Sequence, residues 1–161
     1  MSKKVLMAVG NYYTSPFQVG SHHIAREFSK LGWETLFISD PVTPFHLLKL
    51  YEKEIIERFQ SSLNSIQYED GIYNHVPFSL IAPYTLGILK SKLIYRNWYK
   101  FTFPNILKLI KQYNFDYVDL LYIDSIYQHY LLDKINYKKA IFRIADDNRG
   151  FRKYNSNYEH F

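Results

Sequence analysis

An α/β fold, with a parallel Rossmann-like sheet flanked by helices, is predicted by three features near the start of the chain. The strand Lys4 to Val9 is apolar without interruption from Val5 and leads into Gly10, the pattern of a strand buried on both faces. After a loop containing Pro16, Ile24, Phe28 and Leu31 recur at helical spacing and Gly32 follows as a stop, which predicts a helix from Gly20 to Leu31. Glu34 to Ser39 then reads as a second strand closed by Asp40-Pro41. A β-α-β unit this short implies a right-handed crossover between parallel strands, with the first strand at the centre of the sheet.

The later elements follow in order. Residues 45 to 63 carry an irregular helical pattern. Ile66-Gln67-Tyr68 and Ile72 to Val76 flank Glu69-Asp70-Gly71, a hairpin turn signal. Pro77 and Pro83 bracket a connection. Two helices are expected between Tyr84 and Tyr113, interrupted near Phe103-Pro104, because proline breaks a helix interior. Asp116 to Ile123 reads as a strand, Ser125 to Leu132 as a short helix and Lys138 to Ala145 as the last strand. The tail from Arg152 to Phe161 shows no element of its own.

At 161 residues the chain suits a single domain spanning 1–161. It has no cysteine, which excludes a disulfide scaffold, thiolate metal ligands and a cysteine nucleophile. The apolar run after Met1-Ser2-Lys3-Lys4 is too short for a signal-peptide core or a membrane span, so a cytoplasmic location is expected. A net charge of +5 and a pI near 9.2 give a mild attraction to anions of any kind. The 16 tyrosines and 12 phenylalanines suit sugar contact and membrane interfaces, and they equally suit a composition rich in Tyr, Lys, Asn and Ile.

Two nucleotide-binding loops are missing. Gly10 leads into Asn11-Tyr12-Tyr13-Thr14-Ser15-Pro16 with no second glycine until Gly20, so the backbone lacks the spacing for a dinucleotide pyrophosphate. No Gly-Lys-Ser or Gly-Lys-Thr occurs, which excludes a Walker loop. His22 and His23 fall in the first turn of the first helix, above the carboxyl edge of the sheet, and only one of two adjacent side chains can face a cleft there. The six histidines contain no His-x-x-x-His pair, so no metal is expected.

Lys92, Arg96 and Lys100 repeat every four residues and share one helix face, with Ile94, Trp98 and Phe101 on another. Cations beside Trp98 are what a helix lying on an anionic membrane surface needs; the apolar side can equally pack on the sheet. Asp124 ends one strand and Asp146 the last, each at the edge where open α/β folds bind their ligands. A carboxylate held there can take a proton from a hydroxyl nucleophile. Asp147 is also placed to cap the following turn.

With these residues in order, the chain resembles the N-terminal half of GT-B glycosyltransferases, and most closely the membrane-associated glucuronosyltransferase of xanthan biosynthesis. The resemblance rests on Tyr13, Pro16 and His22 after the first strand, on Asp124-Ser125, and on Phe142-Arg143-Ile144-Ala145-Asp146. It implies an acceptor-binding domain in which Asp146 is the general base, with His22, Arg143, Asp124, Asp147 and Tyr13 binding or orienting the acceptor. It further implies a lipid-linked or polysaccharide acceptor, a nucleotide-sugar donor with glucuronic acid as one candidate sugar, and no cofactor, metal or nucleic-acid partner. Peripheral association with the inner face of the cell membrane is the corresponding expectation, through Lys92, Arg96, Trp98 and Lys100. The pair Asp146-Asp147 also looks like retaining transferases of group 4, so inverting and retaining outcomes both stay open. The C-terminal nucleotide-sugar domain of that fold is expected to be absent from these residues, leaving the isolated chain inactive. The alternative is a truncated or split-gene module that keeps the fold and its membrane or partner binding without catalysis.

Overall fold

The computed structural model describes residues 2–49, 52–64, 66–82 and 91–144. Its centre is a six-stranded sheet in the order β3-β4-β2-β1-β7-β8. The strands are β1 (Lys4–Val9), β2 (Glu34–Ser39), β3 (Gln67–Glu69), β4 (Ile72–His75), β7 (Tyr117–Ile123) and β8 (Asn136–Phe142). All neighbours pair in parallel except β3 with β4. The expected central first strand is present, with β2 and β7 on its two sides, because only buried neighbours satisfy a strand that is apolar on both faces. Two short strands, β5 (Phe78–Ser79) and β6 (Thr102–Phe103), form a separate antiparallel ribbon.

Helices cover both faces of the sheet. On one face α1 (Gly20–Lys30) packs Ile24, Ala25 and Phe28 against Val5, Met7 and Phe37. On the other, α3 (Lys92–Asn97), a 3-10 turn at Trp98–Phe101, α4 (Ile106–Gln112) and α5 (Leu131–Lys134) surround Leu6, Leu36, Ile38 and Leu121. A third cluster of Tyr12, Val42 and Val76 sits beside Phe59 of α2 (Lys53–Leu63). Side-chain caps start two helices: Ser91 accepts from Ile94 N, and Asn105 accepts from Lys108 N at 3.1 Å, each satisfying a backbone donor that a first helical turn leaves open.

Some bounds differ from expectation. The last strand begins at Asn136 and ends at Phe142, two residues earlier and three residues earlier than the apolar pattern suggests, because its register follows β7 from Tyr117↔Asn136 to Ile123↔Phe142. Ala145 lies outside the described residues, as do 84–90 of the predicted helix pair. The α1 stop is as expected: Gly32 adopts φ +77 with nothing near a would-be Cβ, so the cost of a side chain there is purely conformational. Gly32→Ala should lower stability by about 1 kcal/mol, read as the midpoint shift in thermal or urea unfolding.

Candidate active site

The parallel strands end together. Val9 pairs with Ser39 and Ile123 with Phe142, so the residues that follow β1, β2, β7 and β8 meet along one carboxyl edge. Strand alternation then sorts their side chains onto the two faces of the sheet.

On the α1 face, Arg143 Nη1 donates to Asp124 Oδ2 at 3.1 Å and to Ser21 Oγ at 3.1 Å. Ser21 Oγ also donates to Asp124 Oδ2 and lies 3.3 Å from the Tyr122 hydroxyl. The Asp124 side chain is 11% exposed and that of Arg143 33%, so the pair is shielded from water on the carboxylate side and open on the guanidinium side. A Cβ on Gly20 would lie 2.9 Å from Arg143 Nη2; glycine at the start of α1 therefore lets the guanidinium cross over the helix. The backbone of Arg143 is held as well, its N–H donating to Ile123 O at 2.8 Å. Sequence reasoning selected Asp124 and Arg143 but missed Ser21 and Tyr122, whose part in the cluster depends on the first turn of α1 lying beside the end of β7.

On the opposite face, Asp40 follows β2 and accepts from Ser125 Oγ at 2.5 Å. Burial pushes its carboxyl up to about 7 against the pull of the Ser125 hydroxyl and the Arg58 charge. Arg58 donates to the Asp40 backbone carbonyl at 2.7 Å, and Gln128 Nε2 donates to Ser39 O at 2.7 Å. Gln128 Oε1, Arg58 Nε and the Tyr130 hydroxyl are buried without hydrogen-bond partners among the described residues. Burial, and next the Asp40 charge, hold the Tyr130 hydroxyl well above its ordinary range. His75, at the end of β4, has both ring nitrogens buried without partners among the described residues, and burial lowers it to about 4.

Two expected acceptor contacts are interior instead. His22 is 0% exposed. Its Nδ1 accepts from Val19 N at 3.1 Å, so the hydrogen sits on Nε2, which donates to Tyr12 O at 3.0 Å. The imidazole thus ties the β1–α1 loop to the first turn of α1 and presents nothing to a cleft, while His23 is the exposed member of the pair. Tyr13 is 3% exposed, packs edge-on against Phe37 and reaches Asp70 Oδ2 with its hydroxyl at 3.3 Å. Both residues shape the β1–α1 loop.

Trp98 also moves from the surface to the interior: it is 0% exposed and its indole N–H donates to Tyr127 O at 2.8 Å. It is a core residue and not a membrane contact, because the apolar side of this segment packs on the sheet. Lys92, Arg96 and Lys100 do share one exposed side. Asp146 and Asp147 lie outside the described residues. Among the described residues there is no cluster of three or more His, Asp or Glu able to hold a metal, and no helix is long and apolar enough to cross a membrane.

No curated protein matches the chain. A family model described as glucuronosyltransferase GumK, N-terminal domain, matches residues 7–155, a stretch that contains the whole carboxyl edge. The chain belongs to the family of the N-terminal domain of the glucuronosyltransferase GumK, and is a glycosyltransferase module of Rossmann-like fold.

Proposed function

We propose that this chain is the acceptor-binding half of a GT-B glycosyltransferase, moving a sugar from a nucleotide sugar onto a hydroxyl of a lipid-linked or polysaccharide precursor. Glucuronic acid is the first sugar to test, from the name of the family. The observation that carries this reading is the Arg143–Asp124–Ser21 cluster at the carboxyl edge, where open α/β folds place their ligands. It anchors the strand end from which the sequence continues, three residues on, to Asp146.

In this scheme the Asp146 carboxylate takes the proton of the acceptor hydroxyl. The oxygen attacks the anomeric carbon of the donor, the new glycosidic C–O bond forms, and the bond to the diphosphate breaks with its electron pair leaving on the nucleotide. Arg143 and Asp124 position the base, and Asp147 has a supporting part outside the proton transfer. Four exposed apolar side chains, Leu80, Leu93, Phe101 and Phe103, next to Lys92, Arg96 and Lys100 support peripheral attachment to the inner face of the cell membrane. All seven residues of β8 are exposed, which suits a C-terminal domain held against that edge, since parallel strands are normally covered.

The test joins the chain to a nucleotide-sugar domain, as a fusion or a mixed pair, and follows transfer from UDP-glucuronic acid and other nucleotide sugars to a lipid-linked saccharide. Product from the pair, with none from the 161-residue chain alone, is the expected result. No transfer by any pair, with the fold and acceptor binding intact, would favour the non-catalytic module instead.

A further inference from the structure

Between α3 with its following turn and α5 lies a cavity of about 440 Å³. Its floor is aromatic and fixed. Tyr95, Tyr99 and Tyr130 are 4%, 5% and 2% exposed; Tyr99 stacks on Tyr130 at 4.4 Å, and Tyr95 on His129 at 4.9 Å. Its walls are cationic. Lys92, Arg96 and Lys100 line one side, Lys134 lines the other, and Asp133 is the carboxylate among the lining residues. None of the four cations makes an ion pair or side-chain hydrogen bond with a described residue.

Two separate elements therefore converge their positive charges on one concave space with a single negative charge to offset them. Such an arrangement costs free energy through like-charge repulsion until an anion occupies it. A solvated stripe would need only Lys92, Arg96 and Lys100; Lys134, from a different helix, makes this a pocket. The cavity is also coupled to the carboxyl edge. Tyr95 donates to Ile126 O at 2.8 Å and Trp98 to Tyr127 O at 2.8 Å, fixing α3 to the segment that leaves Asp124 and Ser125.

We propose that this cavity binds a diphosphate group. Three uncompensated positive charges match the charge of a diphosphate better than that of a single carboxylate, and the volume exceeds what one phosphate fills. The group can belong to a soluble molecule or to a lipid headgroup, and only the lipid source rests on the acceptor reading given above.

The experiment titrates the full chain with inorganic pyrophosphate at low salt, by calorimetry. Saturable binding is expected, weakened about tenfold by Arg96→Gln and equally by Lys134→Gln, since each removes a charge-assisted hydrogen bond. Lys139→Gln, on exposed β8 away from the cavity, should leave it unchanged. Phosphatidylcholine vesicles with and without phosphatidic acid then separate the sources. Displacement of the chain from phosphatidic acid vesicles by pyrophosphate identifies a lipid headgroup; saturable pyrophosphate binding with no effect on vesicles identifies a soluble ligand. Absence of saturable binding, an equal loss in Lys139→Gln, or a loss in Arg96→Gln without one in Lys134→Gln would overturn the proposal. Asp146→Asn should leave pyrophosphate binding intact, so the pocket and the catalytic assignment fail independently.

Discussion

Asp40→Asn should make the protein more stable than the parent at pH 8, by roughly 1–3 kcal/mol, and should leave it unchanged near pH 4. The parent folds with a carboxyl raised from 3.8 to about 7. A group raised in the folded state contributes its stability below its unfolded pKa, and that contribution is lost as pH rises towards the folded value. The loss therefore runs from about pH 4 to 7. The lower magnitude allows for the part of Asp40 that still reaches solvent.

His75 acts in the opposite direction. It is lowered from 6.5 to about 4, so its contribution is present above pH 6.5 and is lost as pH falls towards 4. The two slopes overlap and largely cancel in the parent. Asp40→Asn removes one of them, and stability should then rise with pH between 4 and 6.5. The amide keeps an acceptor for Ser125 Oγ, and the buried, unpartnered Gln128 Oε1 offers an acceptor for its N–H. Urea unfolding at pH 4 and pH 8 measures the effect, and a variant less stable than the parent at pH 8 would contradict it.

The sheet was legible because its strands announce themselves. β1, β2 and β7 hold the apolar stretches Val5–Val9, Leu36–Ile38 and Leu120–Ile123, all buried in the sheet, and the hairpin between β3 and β4 turns on Asp70 at φ 53 and Gly71 at φ 78, the conformations that an Asp-Gly pair favours. Periodicity also separated Trp98 from the cations beside it. What it did not contain was the partner of that apolar side, which includes Tyr127 and Tyr130 in the segment that follows β7. Asp40 is hidden for a similar reason: Asp-Pro after a strand reads as a turn, and its raised carboxyl comes from burial that only the packed fold creates, against the pull of Ser125 and Arg58. His22 was placed in the correct turn, but the β1–α1 loop decides which way its ring nitrogens bond. Lys134 drew no notice because its helix is short and carries no repeat.

The central claim is that the acid three residues beyond Arg143 takes the proton of the acceptor, and it is tested most directly by single-turnover transfer in the chain joined to a nucleotide-sugar domain. Asp146→Asn keeps the shape of the side chain and removes its basicity, so fold and acceptor binding should persist while the chemical rate falls by about 100-fold or more, the worth of a positioned general base. Asp147→Asn should cost far less, since an asparagine caps a turn nearly as well as an aspartate. Rates for the two variants side by side decide the assignment: a large loss confined to Asp146→Asn is the predicted result, and near-normal turnover in Asp146→Asn, with or without a loss in Asp147→Asn, would contradict it.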